Sequence, residues 1–286
     1  MARQIFLNGT FVAEHEARVP VMDRGLLLGD AIYEVTAMLD GRMIDNDLHL
    51  ARLQRSLSEV EIAMPMPLDQ IAKMQVELVR RNAMTDGTIY MQVSRGVEER
   101  NFLPSAGLKP GFLAFTQPRK LDENPAQKHG VQVALYPDPR WDRRDIKTVM
   151  LLGQVRVKQQ ARLDGFDDVW MFEDGCVTEG ASSSAFIVTQ DGTIVTRPNS
   201  TAILPGCTRQ SVMALATAHG MRVEERKIAL DEISGVAEAF LTSASSLVQP
   251  VVRVGQDRIG DGVPGPVTQR LQQLYLDAAR RGESVT

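Results

Sequence analysis

The sequence predicts an α+β protein with two domains. Its 286 residues are enough for one large or two modest domains, and many short strand patterns are mixed with a few helical ones. Residues 120–129 are polar, include a proline and lack apolar periodicity, which is typical of an interdomain linker. We therefore expect a domain over 1–119 and a larger domain over 130–286, whose sheet closes into a barrel-like form.

The first half begins with a hairpin and continues with strands and two helices. Asn8-Gly9 supplies the two positive-φ residues of a type I′ turn. Ala31–Leu39 has the composition of a strand and ends at the turn Asp40-Gly41. A helix begins near Leu48, where apolar residues start to recur at helical spacing. The other predicted elements are a helix over 68–82 and strands over 88–95 and 111–116.

The second half combines short strands with three helices. The first helix spans 148–163 and places four apolar residues on its inward face: Val149, Leu152, Val155 and Leu163. Thr208 caps the second helix, which ends at Gly220, and the third spans 266–281. Strands are predicted over 130–135, 168–172, 177–178, 186–189, 194–196, 238–242 and 251–254.

Composition excludes several classes of function. The net charge of −4 comes from mixed signs, which argues against a partner held by phosphate neutralisation. No apolar run approaches the length of a membrane span, and the opening MARQIFLNGTFV lacks a signal core. Cys176 and Cys207 are far apart, so a disulfide framework or a metal site is a poor interpretation. We expect a cytoplasmic protein without a metal.

Two residues in 143–186 have types suited to carbonyl chemistry. Lys147 is an isolated lysine at the predicted helix start, and such an amine can form a Schiff base with an aldehyde. Glu179 ends a strand, and a carboxylate facing a pyridine nitrogen keeps that nitrogen protonated. The alternatives are a solvated lysine and a solvated turn residue, which are the commoner roles of each type.

Small hydroxyl residues and one arginine suggest phosphate binding. Ser182–Ser184 follows the strand that carries Glu179, and Cys207-Thr208 opens a helix whose free N–H groups attract anions. The turn 242–246 is also rich in serine. Arg52 is either a surface residue or a phosphate fork. Each signal is weak alone, and it is their co-occurrence that indicates a site.

Six motifs follow one another along nearly the whole chain. They are DRG-x3-GD-x2-YE at 23–34, HxxR at 49–52, DIK-x3-LLG at 145–153, VTEGASSS at 177–184, LPGCTR at 204–209 and TSAS at 242–245. Together they resemble the fold type IV pyridoxal-phosphate-dependent transaminases, most closely the D-amino-acid transaminases. The resemblance implies a smaller N-terminal α/β sandwich-like domain, a larger cofactor domain with a barrel-like sheet, pyridoxal 5′-phosphate as cofactor and a homodimer.

The resemblance also implies roles for individual residues. Lys147 matches the lysine that binds the cofactor and moves the proton, Glu179 the partner of the ring nitrogen, and Arg52 the phosphate arginine. Leu204 matches the apolar residue behind the ring. The remaining phosphate and cofactor contacts match Ser182, Ser183, Cys207, Thr208, Ser243 and Ala244, where Ala244 replaces a hydroxyl common at that turn.

Three residues match the substrate side. Tyr33 matches a substrate-side tyrosine, and Arg100 matches an arginine that the other subunit lends to a carboxylate trap. D-specific members have a histidine two residues after that arginine, where this chain has Phe102. The alternative for Tyr33 is an aromatic residue of the core, and the alternative for Arg100 is a solvated loop residue beside Glu98 and Glu99.

The resemblance implies a ping-pong transamination through a Schiff base, from a D-amino acid such as D-alanine to an α-keto acid. Within the family the alternatives are a branched-chain L-amino-acid transaminase, an (R)-amine transaminase and an aminodeoxychorismate lyase. Outside it they are a pyridoxal-phosphate-binding protein without turnover and a structural oligomer without cofactor.

Overall fold

The structure, a computed structural model, describes residues 2–282 and contains two compact units. The first takes in the chain up to Arg119 together with Ile146–Met150, and the second takes in Lys120–Asp145 and the chain from Leu151 onward. Segment 120–129, predicted as a linker, lies within the second unit, where Leu121 is buried. Among residues 2–282, no helix combines the length and apolar character needed to cross a membrane.

The first unit is built on a six-stranded antiparallel sheet. Its strands are β1 Gln4–Leu7, β2 Thr10–Ala13, β3 Ala31–Leu39, β4 Arg42–Met43, β5 Gly87–Ser94 and β6 Gly111–Pro118. Their order across the sheet is β2-β1-β6-β5-β3-β4. The predicted hairpin is confirmed, because Asn8 and Gly9 join β1 to β2 with φ of 48° and 96°.

Three helices accompany this sheet: α1 Arg24–Leu28, α2 Asn46–Glu59 and α3 Leu68–Arg81. Leu53 and Leu57 of α2 and Ile71 and Leu78 of α3 are buried in one hydrophobic cluster. Spacings of four and seven residues put these side chains on one face of each helix. The sheet and the two longer helices therefore share a core.

The second unit is built on a ten-stranded sheet. Its strands are β7 Val131–Pro137, β8 Asp168–Glu173, β9 Cys176–Gly180, β10 Ser184–Val188, β11 Ile194–Thr196, β12 Val223–Glu225, β13 Ile228–Ala229, β14 Glu238–Ser243, β15 Leu247–Val254 and β16 Asp257–Arg258. The order is β12-β11-β10-β14-β15-β7-β8-β9-β13, and β16 pairs with β15.

The connection between β9 and β10 shows that this sheet curls. The two strands lie five positions apart in the sheet order, which would separate them by about 24 Å if the sheet were flat. The chain from Gly180 to Ser184 spans at most about 15 Å. Gly180 N–H also donates to Ser183 O at 2.8 Å, which tightens the connection. The sheet is therefore bent towards the predicted barrel-like form.

The helices of the second unit are α4 Pro125–His129, α5 Leu152–Leu163, α6 Cys207–Ala218 and α7 Pro266–Arg281, with a 3-10 helix at Leu230–Gly235. The predictions for α5 are wrong in two respects. The helix begins at Leu152 rather than at 148, because residues 147–149 lie along β3 instead. Its apolar stripe also faces outward, since Leu152, Val155 and Leu163 are 73%, 51% and 81% exposed and Ala161 is the buried residue of the helix.

Candidate active site

Lys147 is held beside β3 in the first unit. Tyr33 N–H donates to Lys147 O at 3.0 Å, and Val149 N–H donates to Ala31 O at 3.1 Å. The Lys147 Nζ lies 4.3 Å from the centroid of the Tyr33 ring, and the side chain is half-buried. A cation this close to a ring is attracted to its π face. The amine is thus partly shielded from water and restricted in position.

Tyr33 is part of a row of aromatic rings on β3, β5 and β6. Its ring stacks on Tyr90 at a centroid distance of 5.6 Å, and Tyr90 stacks on Phe115 at 4.8 Å. Cross-strand neighbours place the three rings side by side. The row holds the Tyr33 ring under the amine of Lys147.

Arg52 is buried against Glu34 on the other face of β3. Arg52 Nε donates to Glu34 Oε1 at 2.7 Å and Nη2 donates to Oε2 at 2.9 Å, while His49 Nδ1 lies 2.8 Å from Oε2. Burial alone would raise the pKa of Glu34, but the positive charge and hydrogen bonds of Arg52 and His49 hold that pKa well below its usual range. The pair fixes the plane of the Arg52 guanidinium.

The loop with Arg100 and Phe102 is fastened by Arg24. The buried Arg24 donates through Nη1 to Asn101 O at 2.6 Å and to Glu98 Oε1 at 2.8 Å, and through Nη2 to Phe102 O at 3.1 Å. Arg100 is exposed, with its guanidinium 5.3 Å from the Phe102 ring. No hydrogen bond or ion pair joins Arg100 to Tyr33 within residues 2–282. No direct polar contact therefore joins the predicted trap residues in the described chain.

Glu179 is a buried carboxylate on β9 in the second unit, not the turn residue that the sequence also allowed. Arg140 Nη1 donates to Glu179 Oε1 at 2.6 Å, and Leu204 N–H donates to the same oxygen at 3.1 Å. Within the described chain, Oε2 has no hydrogen bond. Burial raises the pKa of Glu179, and the charge of Arg140 opposes that rise without cancelling it.

Asp138 lies behind Arg140. Its Oδ1 accepts from Arg140 Nε at 2.9 Å, and its Oδ2 accepts from Arg140 Nη2 at 2.7 Å and from Thr178 Oγ1 at 2.7 Å. Burial would raise the pKa of Asp138, but the contacts with Arg140 and Thr178 lower it. Asp138 and Arg140 are not among the residues predicted from the sequence, although two charges just after a buried strand are a signal that could have identified them.

Two buried hydroxyls near the β9–β10 connection have no partner in the described chain. They are Ser183 Oγ and Thr242 Oγ1. The two residues are neighbours in the sheet, since Ser184, which follows Ser183, faces Thr242 of β14. A buried hydroxyl without a hydrogen bond is costly. Both groups are therefore available to a ligand with acceptor oxygens.

Helix α6 begins beside the next hydroxyl of the chain, because a Cβ on Gly206 would lie 2.7 Å from Ser184 Oγ. Gly206 occupies the N-cap position and contributes no side-chain hydrogen bond. The prediction that Thr208 caps the helix is wrong, since Thr208 lies within the first turn and is buried. A helix start without a capping side chain presents N–H groups to an anion.

Comparison with known proteins identifies the family. The sequence profile of the family described as Amino-transferase class IV matches residues 31–254. This chain belongs to the class IV aminotransferases. D-alanine aminotransferase of Bacillus licheniformis is 36% identical over 269 residues, which are 94% of each chain.

Solved structures share the fold of this class IV aminotransferase. The branched-chain amino acid aminotransferase of Escherichia coli superposes with a TM-score of 0.91 at 24% identity, covering 99% of this chain and 97% of that one. The branched-chain amino acid aminotransferase of Thermoproteus uzoniensis, solved with norvaline, gives 0.89 at 24% identity, covering 99% and 97%. At these identities the likeness shows the fold type IV architecture alone.

The site residues expected in this class IV aminotransferase fall in both units. Those in the first unit are Tyr33, Arg52, Arg100, Phe102 and Lys147, and those in the second are Glu179, Ser182, Ser183, Leu204, Cys207, Thr208, Ser243 and Ala244. Ser182 is exposed, whereas Cys207 and Thr208 are buried. Ser243 Oγ accepts from Ser246 N–H at 3.0 Å, which closes the turn that contains Ala244.

Proposed function

We propose that this class IV aminotransferase binds pyridoxal 5′-phosphate and transfers the amino group of a D-amino acid, such as D-alanine, to an α-keto acid in a ping-pong reaction. The observation that carries the chemistry is the buried carboxylate of Glu179, whose Oε1 is occupied and whose Oε2 accepts no hydrogen bond in the described chain. The D-amino acid follows from the similarity to D-alanine aminotransferase along nearly the whole chain.

The residues present fit this cofactor. A phosphate group has several acceptor oxygens, and the hydroxyls of Ser183 and Thr242 are buried donors without partners in the described chain. The start of α6 adds free N–H groups. Glu179 Oε2 suits a protonated ring nitrogen, which is a donor. These features support a ligand with an anionic group at one end and a basic nitrogen at the other.

When bound, the cofactor supplies an aldehyde carbon that condenses with amines and a protonated ring that withdraws electrons from the reacting carbon. The chain supplies the rest of the chemistry. Glu179 would keep the ring nitrogen protonated, and Ser183 and Thr242 would bind phosphate, which is also the role that the family resemblance implies for Arg52. Leu204 gives its N–H to Glu179 and thereby helps to orient the carboxylate.

Lys147 moves the proton in this proposal. Its Nζ, when neutral, accepts the proton from the Cα atom of the amino donor and returns it elsewhere on the reacting molecule. The Tyr33 ring, 4.3 Å from Nζ, limits the directions open to the amine. A half-buried amine also meets fewer waters that would compete for the proton.

We also propose a homodimer in which one subunit lends Arg100 to the substrate carboxylate of its partner. Exposed Arg100 and Phe102 lie on a loop that Arg24 fastens from within the chain. Exposed apolar side chains occur in the first unit at Leu26, Val97 and Leu103 and in the second at Leu152, Val155 and Leu163. Apolar groups that lie together in one patch are typical of surfaces that bind another protein, and these residues are the candidates for such a patch on each unit. Sedimentation equilibrium tests this proposal, and a fully active monomer would refute it.

The proposed function is tested by the first half of the reaction. Purified protein carrying pyridoxal phosphate is mixed with D-alanine, L-alanine, D-glutamate, L-leucine or (R)-1-phenylethylamine, and the loss of the visible cofactor band is followed. D-alanine is expected to react fastest. Faster reaction with L-leucine would instead assign a branched-chain transaminase, and a band that no donor bleaches would assign a binding protein without turnover.

The residue assignment is tested with Lys147→Ala. Loss of the proton-transferring amine is expected to slow the half-reaction by about 100-fold or more. Lys73→Ala is the matched control, because Lys73 is an exposed lysine of α3 whose ion pair with Asp69 lies at the surface. A Lys147→Ala protein that reacts at the wild-type rate would refute the assignment.

A further inference from the structure

We propose that Arg140, oriented by Asp138, is a positioning residue for the proposed transamination: it occupies Oε1 of Glu179 and thereby presents Oε2 to the ring nitrogen of the cofactor. The inference rests on the proposed function, and it concerns two residues that do not touch the reacting atoms.

The geometry of Arg140 leaves its guanidinium no freedom to turn. Nε and Nη2 donate to the two oxygens of Asp138 at 2.9 and 2.7 Å. The third nitrogen, Nη1, then points along a fixed direction and meets Glu179 Oε1 at 2.6 Å. A planar guanidinium bound through two parallel hydrogen bonds holds its remaining N–H groups in a defined orientation. A lysine could not make this three-point arrangement.

Asp138 is tied to the same strand as Glu179. Thr178, the residue before Glu179 on β9, donates its Oγ1 hydrogen to Asp138 Oδ2 at 2.7 Å. The side chain of Asp138 is fully buried, and those of Arg140 and Glu179 are nearly so. The three charged groups therefore form one buried assembly that joins the segment after β7 to β9.

Charge balance explains why an arginine is tolerated beside a group that must attract a cation. Asp138, Arg140 and Glu179 together carry one negative charge, which matches one protonated ring nitrogen. Arg144 Nε lies 3.6 Å from Asp138 Oδ2, and that arginine is itself paired with Glu173. Without Asp138, Arg140 would draw more strongly on Glu179 and would repel the ring proton.

Arg140 also opposes the protonation of Glu179. Burial raises the pKa of Glu179, and Arg140 provides the largest opposing effect, with smaller help from the N–H of Leu204. The negative charge of Asp138 acts in the same direction as burial. If Arg140 were removed, Glu179 would take up a proton at higher pH and would stop accepting the ring N–H.

The test separates this role from a structural one by using a cofactor analogue. In the 1-deaza analogue of pyridoxal phosphate a C–H replaces the ring nitrogen, so the analogue cannot engage Glu179. Dissociation constants for both compounds are measured by absorbance and fluorescence titration. The wild-type protein is expected to prefer pyridoxal phosphate by about 10- to 100-fold, the range for a charge-assisted hydrogen bond.

Three variants are compared with the wild type: Arg140→Met, Glu179→Gln and the double variant. In Arg140→Met, the preference for pyridoxal phosphate over the 1-deaza analogue is expected to fall to about 3-fold or less. In the Glu179→Gln background, adding Arg140→Met is expected to change the remaining preference by less than about 2-fold. Arg226→Met is the matched control in the same unit, because Arg226 also makes a two-point pair with a carboxylate, Glu232. It should keep the full preference.

The outcomes distinguish two failures. A wild-type protein that does not bind pyridoxal phosphate overturns the proposed function. A wild-type preference that persists in Arg140→Met overturns the role of Arg140 and leaves the proposed function intact. If Arg140→Met does not fold, Arg140→Lys is used instead, because it keeps the charge without the three-point geometry. An intermediate preference for pyridoxal phosphate is then expected. An unchanged preference would refute the proposal.

Discussion

Glu34 and Arg52 form a two-point ion pair inside the first unit, with Nε 2.7 Å from Oε1 and Nη2 2.9 Å from Oε2. Both side chains are buried, and His49 Nδ1 lies 2.8 Å from Oε2. Breaking such a pair on one side leaves an uncompensated buried charge. The pair therefore couples the stability of the unit to the residue that we assign to phosphate.

Glu34→Gln should destabilise the protein by about 3–5 kcal/mol at pH 7. The pKa of Glu34 is depressed in the folded protein, so the stability that its charge contributes is complete above the unfolded pKa of about 4.3. That contribution falls as pH decreases below this value. Urea unfolding at pH 7, 5, 4 and 3 should show the gap between wild type and variant narrowing towards acid. A constant gap would contradict the assignment.

Glu77→Gln is the control for the acid experiment. Glu77 receives hydrogen bonds from Arg80 and Arg81 on the surface of α3. Surface ion pairs of this kind contribute little, because water and salt screen them. The control should follow the wild-type stability closely across the same pH range.

Ser183→Ala should affect the cofactor-free and cofactor-bound forms in opposite directions. Ser183 Oγ is buried without a partner in the described chain, so its removal should leave the free protein as stable or about 1 kcal/mol more stable. Loss of a donor to phosphate should weaken pyridoxal phosphate binding by about 5- to 10-fold. Thermal unfolding and a cofactor titration measure the two effects.

Pyridoxal, which lacks the phosphate, is the control ligand for Ser183→Ala. The affinity for pyridoxal should be the same for the variant and the wild type, because pyridoxal has no phosphate to which the Ser183 hydroxyl could donate. Ser58→Ala is the matched variant, since Ser58 is an exposed serine of α2 and is not among the expected site residues. Equal weakening of pyridoxal and pyridoxal phosphate would argue for a general distortion instead.

Arg24→Met should release the loop that carries Arg100. Arg24 is buried and binds Glu98, Asp30 and the carbonyl oxygens of Asn101 and Phe102. Its loss removes a buried cation from two carboxylates, and should cost about 3–5 kcal/mol. Limited proteolysis should cut residues 98–108 faster than in the wild type, and the KM for the amino donor should rise more than kcat falls.

An exposed arginine provides the comparison for Arg24→Met. Arg18 lies at the surface of the first unit and donates to the backbone oxygens of His15 and Ala17. Arg18→Met should leave the cleavage pattern and the kinetics unchanged. Cleavage of Arg24→Met at the wild-type rate would contradict the prediction and would mean that other contacts hold the loop.

Tyr33→Leu should slow the half-reaction with D-alanine by about 3- to 30-fold, because the amine of Lys147 loses the ring 4.3 Å away. Tyr33→Phe keeps the ring and its stacking on Tyr90, so its effect should be the smaller of the two. Stopped-flow absorbance measures both rates. Equal rates for the two variants would mean that the hydroxyl, and not the ring, is the contribution of Tyr33.

Local pattern predicted much of the fold. The hairpin at Asn8-Gly9 and the bounds of Ala31–Leu39 follow from turn chemistry and strand composition, and both match the structure. The helix predicted to begin at residue 148 does not match the structure, although its apolar spacing is regular. Residues 147–149 instead pair with β3, more than 100 positions earlier in the chain. Sequence periodicity is a local property and does not predict such a long-range pairing.

The candidate site could be proposed from sequence where a residue type is itself the signal. Lys147 and Glu179 stood out as an amine and a carboxylate among motifs in a known order. Asp138 and Arg140 did not stand out, because their importance depends on the contact between Arg140 and Glu179, which lies 39 positions further along the chain. Glu34 was likewise hidden, since its partner Arg52 lies on the following helix. Buried ion pairs between remote segments are a property of the folded chain alone.

The short connection from β9 to β10 has a consequence for synthesis and folding. Ser183 and Thr242 become neighbours only when β10 pairs with β14, and β7 finds its partner β15 later still in the chain. Pairings between remote strands are slow to form. The proposed phosphate site, which uses both hydroxyls, would therefore be complete only after residue 242 has been synthesised. The length of nascent chain at which phosphate first protects the protein would then mark the point at which the second unit forms its sheet.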